Sequence, residues 1–423
     1  MPELAKATSA QALRAIVPKG ELRQGKSEDA VCGVVPALYV EPADEAELAQ
    51  VLAYANRARM RLVLRGHGSK LDWGTAPLAA DLLVSTARFA RILEHAPGDM
   101  TITVEAGVTI AEIQSAVSPH RQRLALDPLW PGRATVGGVI ATNDSGALRL
   151  RYGGVRDLII GITVVLPDGT VAKSGGKVVK NVAGYDLPKL MSGALGTLGI
   201  ITRAVFRLHP LPTSSQTLTF SFMDLEAANQ FMLAIADSIV VPTGLQMRTG
   251  AAGNVEVDVR IDGIAAGIAA QTDTVCKLAG STNPSPPEAD PWQARERLWH
   301  AAGSANIFKL SVLPTHLSTT AEFVREALGT NAQWTLLMHS TGLAWLRADA
   351  AGGVPIAVFI AALRSFLQPT GGSVVLLKAP PSLRQKSVDL WGNAGDALPL
   401  MKRIKEQFDP HGILNPGRFV GGI

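Results

Sequence analysis

From residue 44 the apolar positions recur at helical spacing. Leu48, Leu52 and Ala55 share one face, and Asp44 with Glu47 forms a capping pair ahead of them. The spacing predicts a helix, then a short strand, RLVL (61–64), a glycine-bearing loop, RGHGSKLDWGTAP (65–77), and strands in DLLVST (81–86) and TITVEAG (101–107). Thr109 and Glu112 repeat the capping pair and open another helix. GITVVLPDGTVAKSG (161–175) reads as a hairpin turning at Pro167-Asp168-Gly169. Asp186 is placed to cap a short helix, with Pro188 in its first turn. After the glycines of 193–199, Ile200, Ala204, Phe206 and Leu208 alternate with Arg203 and Arg207, a half-buried strand.

HPLPTSS (209–215) marks a domain boundary. Beyond it the pattern gives strand (217–222), helix (224–237), strands GLQMR and NVEVDVRID, and a helix near 264–279. A second round follows the Pro/Ser-rich loop STNPSPPEADP: FKLSVL, TTAEFVREAL, QWTLLM, LAWLRA, PIAVFIAALRSFL and GSVVLLK. Two β-α-β-β-α-like rounds in succession predict an antiparallel sheet backed by helices, of ferredoxin-like kind. The fold class expected is α+β, with a small parallel βα part and an antiparallel part ahead of this second sheet. The division expected is 1–29 as an N-terminal extension, 30–212 as the first domain, 213–395 as the second, and 396–423 as a segment returning to the first.

Composition narrows the function. The chain has 423 residues, 47% hydrophobic and 18% charged, with a formal net charge of +4. Its basic residues are scattered, so no nucleic-acid footprint is expected. Cys32 and Cys276 are its only cysteines, too few for a disulfide framework or for an iron–sulfur cluster held by this chain alone. Residues 1–20 have no continuous apolar core, and no run approaches the ~20 apolar residues of a membrane helix. A cytoplasmic protein is expected, at most peripheral to a membrane.

The chemistry concentrates in three glycine-rich segments. RGHGS can aim backbone N–H groups at an anion. The nicotinamide-type glycine fingerprint fails, because Leu71 stands at its sixth position and Gly and Pro follow where a helix should begin. The phosphate-loop pattern fails as well, lacking its Gly-Lys-Ser/Thr end. ATVGGVIATNDSG (134–146) adds Gly137 and Gly138, with Asn143 and Ser145 as side-chain donors and acceptors. Gly193, Gly196 and Gly199 form the third segment. Each alone could be an ordinary turn. Together they describe an extended cradle for one long ligand, held mainly by main chain, and a dinucleotide has the required length.

These segments, with RYGGVRDLIIGITVVLPDGTV, GYDLPKLMSGALGTLGII and FDPHGILNPGRF, resemble the vanillyl-alcohol-oxidase-type FAD-binding family over roughly 30–212 and the last twenty or so residues. The resemblance implies FAD contacts from Arg65, Gly66, His67, Gly68 and Ser69, the loop that holds the pyrophosphate. It implies further contacts from Thr135, Gly137, Gly138, Asn143, Ser145 and Gly146, then from Gly196, Gly199 and Ile201, and from Asn415 on the flavin side. Some members bind flavin covalently through a histidine after the Gly-Gly of the first loop. Ser69 occupies that place here, and His67, one step inside, points to a structural or phosphate-side role. Non-covalent FAD is expected.

Members that oxidise 2-hydroxy acids unaided carry two histidine motifs in the second half. Here Val375, Leu376, Leu377 and Lys378 replace the acid–histidine pair of one, and of the other only His339 survives. A base must reach its proton and a metal needs several converging ligands, so no catalytic residue and no metal site is assigned. Arg295, Arg297 and Lys309 could pair with a substrate carboxylate or could equally be solvated surface. This loss, with KNVAGYDLPKL, LLKAP and FDPHGILNPGRF, resembles the smaller FAD-binding subunits of bacterial glycolate oxidase complexes. That resemblance implies a larger FAD-linked subunit and an iron–sulfur subunit as partners, and oxidation of glycolate to glyoxylate.

Overall fold

The computed structural model describes residues 2–176, 185–287, 289–300, 305–329, 332–349, 355–380 and 388–423; the run KNVAG (180–184) lies outside them. The chain forms two compact units. The first comprises Met1–Ser145, Gly154–Leu211 and Asn393–Ile423, and the second Gly146–Gly153 and Pro212–Gly392.

The first unit opens with a helix, Pro2–Ile16, within the segment expected to be an N-terminal extension. Leu13 and Val17 are buried with Leu48, Leu52 and Leu62. Residues 1–29 are therefore part of the first unit and not an extension from it. Strands β1 (Glu21–Gln24), β2 (Leu38–Glu41), β3 (Leu62–Arg65) and β4 (Leu82–Ser85) form a sheet in the order β1-β2-β4-β3. The pairs β2/β4 and β3/β4 are parallel, while β1 runs antiparallel to β2. The helix Glu45–Arg57 joins β2 to β3, and Asp44 caps it by accepting from the Glu47 amide at 2.9 Å. Its buried face is Leu48, Val51, Leu52 and Ala55, as the periodicity requires.

Next come β5 (Ile92–Ala96), β6 (Thr101–Glu105), the short β7 (Gln122–Arg123), β8 (Ile159–Val165), β9 (Val171–Gly175), β10 (Ile200–Arg207) and β11 (His209–Pro210). Five of them make an antiparallel sheet in the order β5-β6-β10-β8-β9, and β7 pairs with β11. The stretch 124–157 contains short helices at Val136–Thr142, Arg149–Tyr152 and Val155–Leu158. Thr135 caps the first of these, which its glycines disguise in the sequence. The stretch also crosses a boundary, since 146–153 belong to the second unit.

The second unit is built on one antiparallel sheet. Its strands are β12 (Ser214–Phe222), β13 (Gly244–Gly250), β14 (Val255–Gly263), β15 (Ala305–Ser311), β16 (Trp334–His339), β17 (Leu343–Asp349) and β18 (Ser373–Lys378), ordered β12-β14-β13-β16-β17-β15-β18. The helices Leu225–Ala236, Ala265–Leu278, Leu317–Leu328 and Ile356–Leu367 contribute to one hydrophobic core with alternate strand residues such as Val257, Phe308, Met338 and Leu376. The intervening residues, among them Arg248, Asp258, His339 and Trp345, point to the other face. An additional short helix, Ala294–His300, lies between the two rounds.

Phe308 is fully buried and meets Phe359 edge to face, with ring centroids 5.7 Å apart. Phe308→Ala is expected to cost about 3–5 kcal/mol through the cavity it leaves. A urea unfolding curve checks this, and an unchanged midpoint would contradict the assigned core.

Candidate cofactor site

Strand β3 ends at Arg65 and delivers the chain into Gly66-His67-Gly68-Ser69. The backbone amides of these residues find no protein acceptor among the described residues. Consecutive amides left open in a glycine loop form a nest for an anion. Gly66 has a protein reason to lack a side chain: a Cβ there would fall on the Thr135 hydroxyl. That hydroxyl accepts from the Gly138 amide at 3.4 Å, so the first loop and the 136–142 helix meet across Thr135.

The wall opposite is the turn 193–199 together with the C-terminal segment. Gly196 stands at φ +70°, and a Cβ there would lie 2.9 Å from both Asn415 Nδ2 and Leu64 Cδ1. Asn415 donates to the Leu195 carbonyl at 2.7 Å and accepts from the Leu64 amide at 3.2 Å. These contacts enclose an open cleft of about 740 Å³, its mouth included.

Most of the residues singled out in the sequence line this cleft. Arg65, Gly66, Gly68 and Ser69 come from the first loop, and Thr135, Gly137 and Gly138 from the second segment. Gly196, Gly199, Ile201 and Asn415 complete the set. His67 does not join them: it faces a separate recess with Thr109, Glu112 and Gly132. Ser145 is buried at 3% exposure and does not line the cleft, and Gly146 belongs to the second unit. Asn143 is also absent from the lining, but it sits in the left-handed region at φ 49°, and its side-chain Oδ1 is buried without a partner among the described residues.

The glycines of the third segment stand against protein as well as lining the cleft. A Cβ on Gly199 would meet the Val165 carbonyl at 3.3 Å, and one on Gly196 would meet Asn415. Both glycines thus answer to neighbouring protein, and the close approach they permit shapes the wall.

Three further cleft residues carried no clear signal in the sequence. Lys70 is buried, donates to the Leu129 carbonyl at 3.2 Å and lies 3.4 Å from Asp144, with the Trp73 and Trp130 rings within 6 Å. Trp73 itself lines the cleft. Arg418, buried at 2%, donates to the carbonyls of Leu71, Trp73 and Thr75, so it fixes the loop that follows Lys70. Its place in the NPGR run is the only hint of it.

Residues 36–175 match the family described as FAD binding domain, and residues 391–419 match that described as FAD linked oxidases, C-terminal domain. The first unit carries an FAD-binding domain. Its open loop amides beside Arg65 fit the phosphates of FAD, which supplies a two-electron acceptor when bound.

Glycolate oxidase subunit GlcD of Bacillus subtilis is 34% identical over 212 residues, which is 50% of this chain and 45% of that one. D-lactate dehydrogenase of Archaeoglobus fulgidus is 32% identical over 226 residues, 53% of this chain and 49% of that one. The match thus spans about half the length of these relatives. Among solved structures, 4-ethylphenol oxidase from Gulosibacter chungangensis aligns with a TM-score of 0.77 at 15% identity, covering 98% of this chain and 97% of that one. p-Cresol methylhydroxylase aligns at 0.76 and 14% identity, covering 98% of this chain and 96% of that one. The chain shares the α+β fold of these structures.

In the second unit, His339 is buried and edge-on to Trp345, with centroids 4.9 Å apart. Burial, with a smaller contribution from the Arg295 charge, pushes its pKa down to about 3. Such an imidazole is neutral and a weak base. Among the described residues no group of three His, Cys, Asp or Glu is placed to hold a metal. Arg295 is buried over the Trp345 ring at 4.9 Å, Arg297 is exposed and donates to the Asp290 carbonyl, and Lys309 is half-buried on β15.

Two predictions follow from this geometry. Gly196→Val should abolish retention of FAD, while Gly199→Ala should keep affinity within about threefold; fluorescence titration of FAD reads both. For His339, the folded pKa lies below the unfolded value near 6.5, so its contribution to stability is complete above that pH and lost as pH falls toward 3. Between pH 6 and 4 this group should cost about 1.4 kcal/mol per pH unit. Urea unfolding of the wild type and His339→Asn across that range should show the steeper slope in the wild type only.

Proposed function

We propose that this chain is the smaller FAD-carrying subunit of a glycolate oxidase complex. In this reading it binds FAD reversibly and works with a larger FAD-linked subunit and an iron–sulfur subunit. The complex oxidises glycolate, a small 2-hydroxy acid, to glyoxylate. Electrons pass onward to the iron–sulfur partner, since this chain has only two cysteines and they lie far apart in sequence.

One combination supports this reading above others: a formed cofactor cleft, an aliphatic β18 and a weakly basic His339. Along β18, Val374 and Leu376 enter the helix-backed core, and the alternate positions, Val375 and Leu377, are aliphatic. His339 is too weak a base at neutral pH. The similarity to glycolate oxidase subunits of Bacillus subtilis and Escherichia coli supports the substrate class. Among the described residues no helix is long and apolar enough to cross a membrane. A cytoplasmic position, at most peripheral to the membrane, belongs to the same proposal.

A second reading draws on the D-lactate dehydrogenase relatives: a self-sufficient FAD-dependent D-2-hydroxy acid dehydrogenase. A third is a non-catalytic subunit that keeps FAD for assembly. Anaerobic mixing separates all three. The purified yellow chain should stay oxidised with glycolate or D-lactate, and denaturation should release its FAD intact. In the complex co-purified from native cells, glycolate should bleach the flavin of this chain. Bleaching of the isolated chain would overturn the proposal in favour of the second reading. Flavin in this chain that never bleaches within the active complex would favour the third.

A further inference from the structure

Arg65 lines the FAD cleft, but its guanidinium is not left to find its own direction. Nη1 lies 3.1 Å from Oδ1 of Asp29, whose side chain is wholly buried. The same carboxylate accepts from Nη2 of Arg23 at 3.1 Å and from the Lys26 amide at 2.9 Å. The Arg23 guanidinium holds the Asp29 carboxyl far below the usual carboxylate range, with help from the Lys26 amide and the Arg65 charge, so Asp29 stays ionised. Both guanidinium groups stand over the Tyr39 ring, Arg23 at 3.8 Å and Arg65 at 5.1 Å from its centroid. Tyr39 is fixed in turn, its hydroxyl donating to Glu41 at 2.7 Å.

This support is built from β1, the turn after it and β2, and Arg23 and Asp29 lie outside the 36–175 match. The assembly sets two positive charges around one buried negative charge. Arg65 is the member at the cleft wall, immediately before the open amides of Gly66–Ser69. A guanidinium in a fixed plane beside an amide nest suits a phosphate, which it can engage through paired N–H donors.

We propose that Asp29 is a positioning residue for the cofactor: it holds the Arg65 guanidinium at the cleft wall, where its charge and donors serve the diphosphate of FAD. Asp29 touches no cofactor atom itself. Its effect on binding passes through Arg65, so it selects for the phosphate-bearing part of the ligand and not for the isoalloxazine ring.

The test is titration of the full-length apoprotein with FAD and with riboflavin, which has the same ring and no phosphate. Arg65→Gln should weaken FAD at least tenfold and riboflavin less than twofold. Asp29→Asn should weaken FAD at least fivefold with the same selectivity, and the double variant should be no worse than Arg65→Gln alone. Normal FAD affinity in Arg65→Gln overturns the proposal, because nothing would then need positioning. So does equal loss for both ligands, or multiplication of the two effects in the double variant. If Asp29→Asn fails to fold, Arg65→Gln still decides, because Asp29 keeps its Arg23 partner there. Failure of the wild-type chain to bind FAD would remove the cofactor assignment as well, a distinguishable result.

Discussion

The cofactor cleft depends on one side chain that arrives from the far end of the sequence. Asn415 links the Leu64 amide on β3 to the Leu195 carbonyl in the glycine turn, and so ties two walls that no backbone ladder joins directly. Its own position is held by a buried charge pair. Lys405 donates to Asp409 at 2.6 Å and to the carbonyls of Thr197 and Leu414, while Asp409 accepts from the amides of Ile413 and Leu414. Burial lowers the Lys405 pKa, with Asp409 opposing that shift. A buried pair is costly unless its remaining donors and acceptors are met, and here they are met by the segments that must stay together. Leu414 also pairs with Leu62, which carries the C-terminal segment along the free edge of β3.

Much of the architecture could be read before the structure, and for physical reasons. Thr109 and Glu112 form the reciprocal capping pair that the sequence implied, a local interaction, whereas Asp44 caps its helix while Glu47 turns to the Lys19 and Ala43 amides. The 161–175 hairpin and both rounds of the second sheet were legible from alternation and turn residues. Where side chains alternate poorly, the reading missed elements: ELRQ of β1 and the largely exposed ILEHA of β5 show no apolar face. The 136–142 helix was hidden by adjacent glycines, poor helix formers that are held here by the Thr135 cap.

The site was legible at the level of segments and less so at the level of side chains. Composition marked where backbone comes close to backbone, and that is where the cleft forms. It could not tell that Gly196 and Gly199, which line the cleft, also stand against neighbouring protein. Nor could it foresee partners hundreds of positions apart, such as Arg418 with Leu71, or the demand that Asp29 makes on Arg65. Such contacts exist only once the chain has closed on itself.

The order of the two units along the chain has a consequence for biogenesis. After the brief departure at 146–153, the first unit is left at Leu211 and resumed at Asn393. The residues that tie its walls, Lys405, Asp409, Asn415 and Arg418, therefore emerge from the ribosome after the entire second unit has been made. The walls of the cleft cannot be tied before those residues have been made, so a nascent chain that ends within the second unit carries an unclosed half-site.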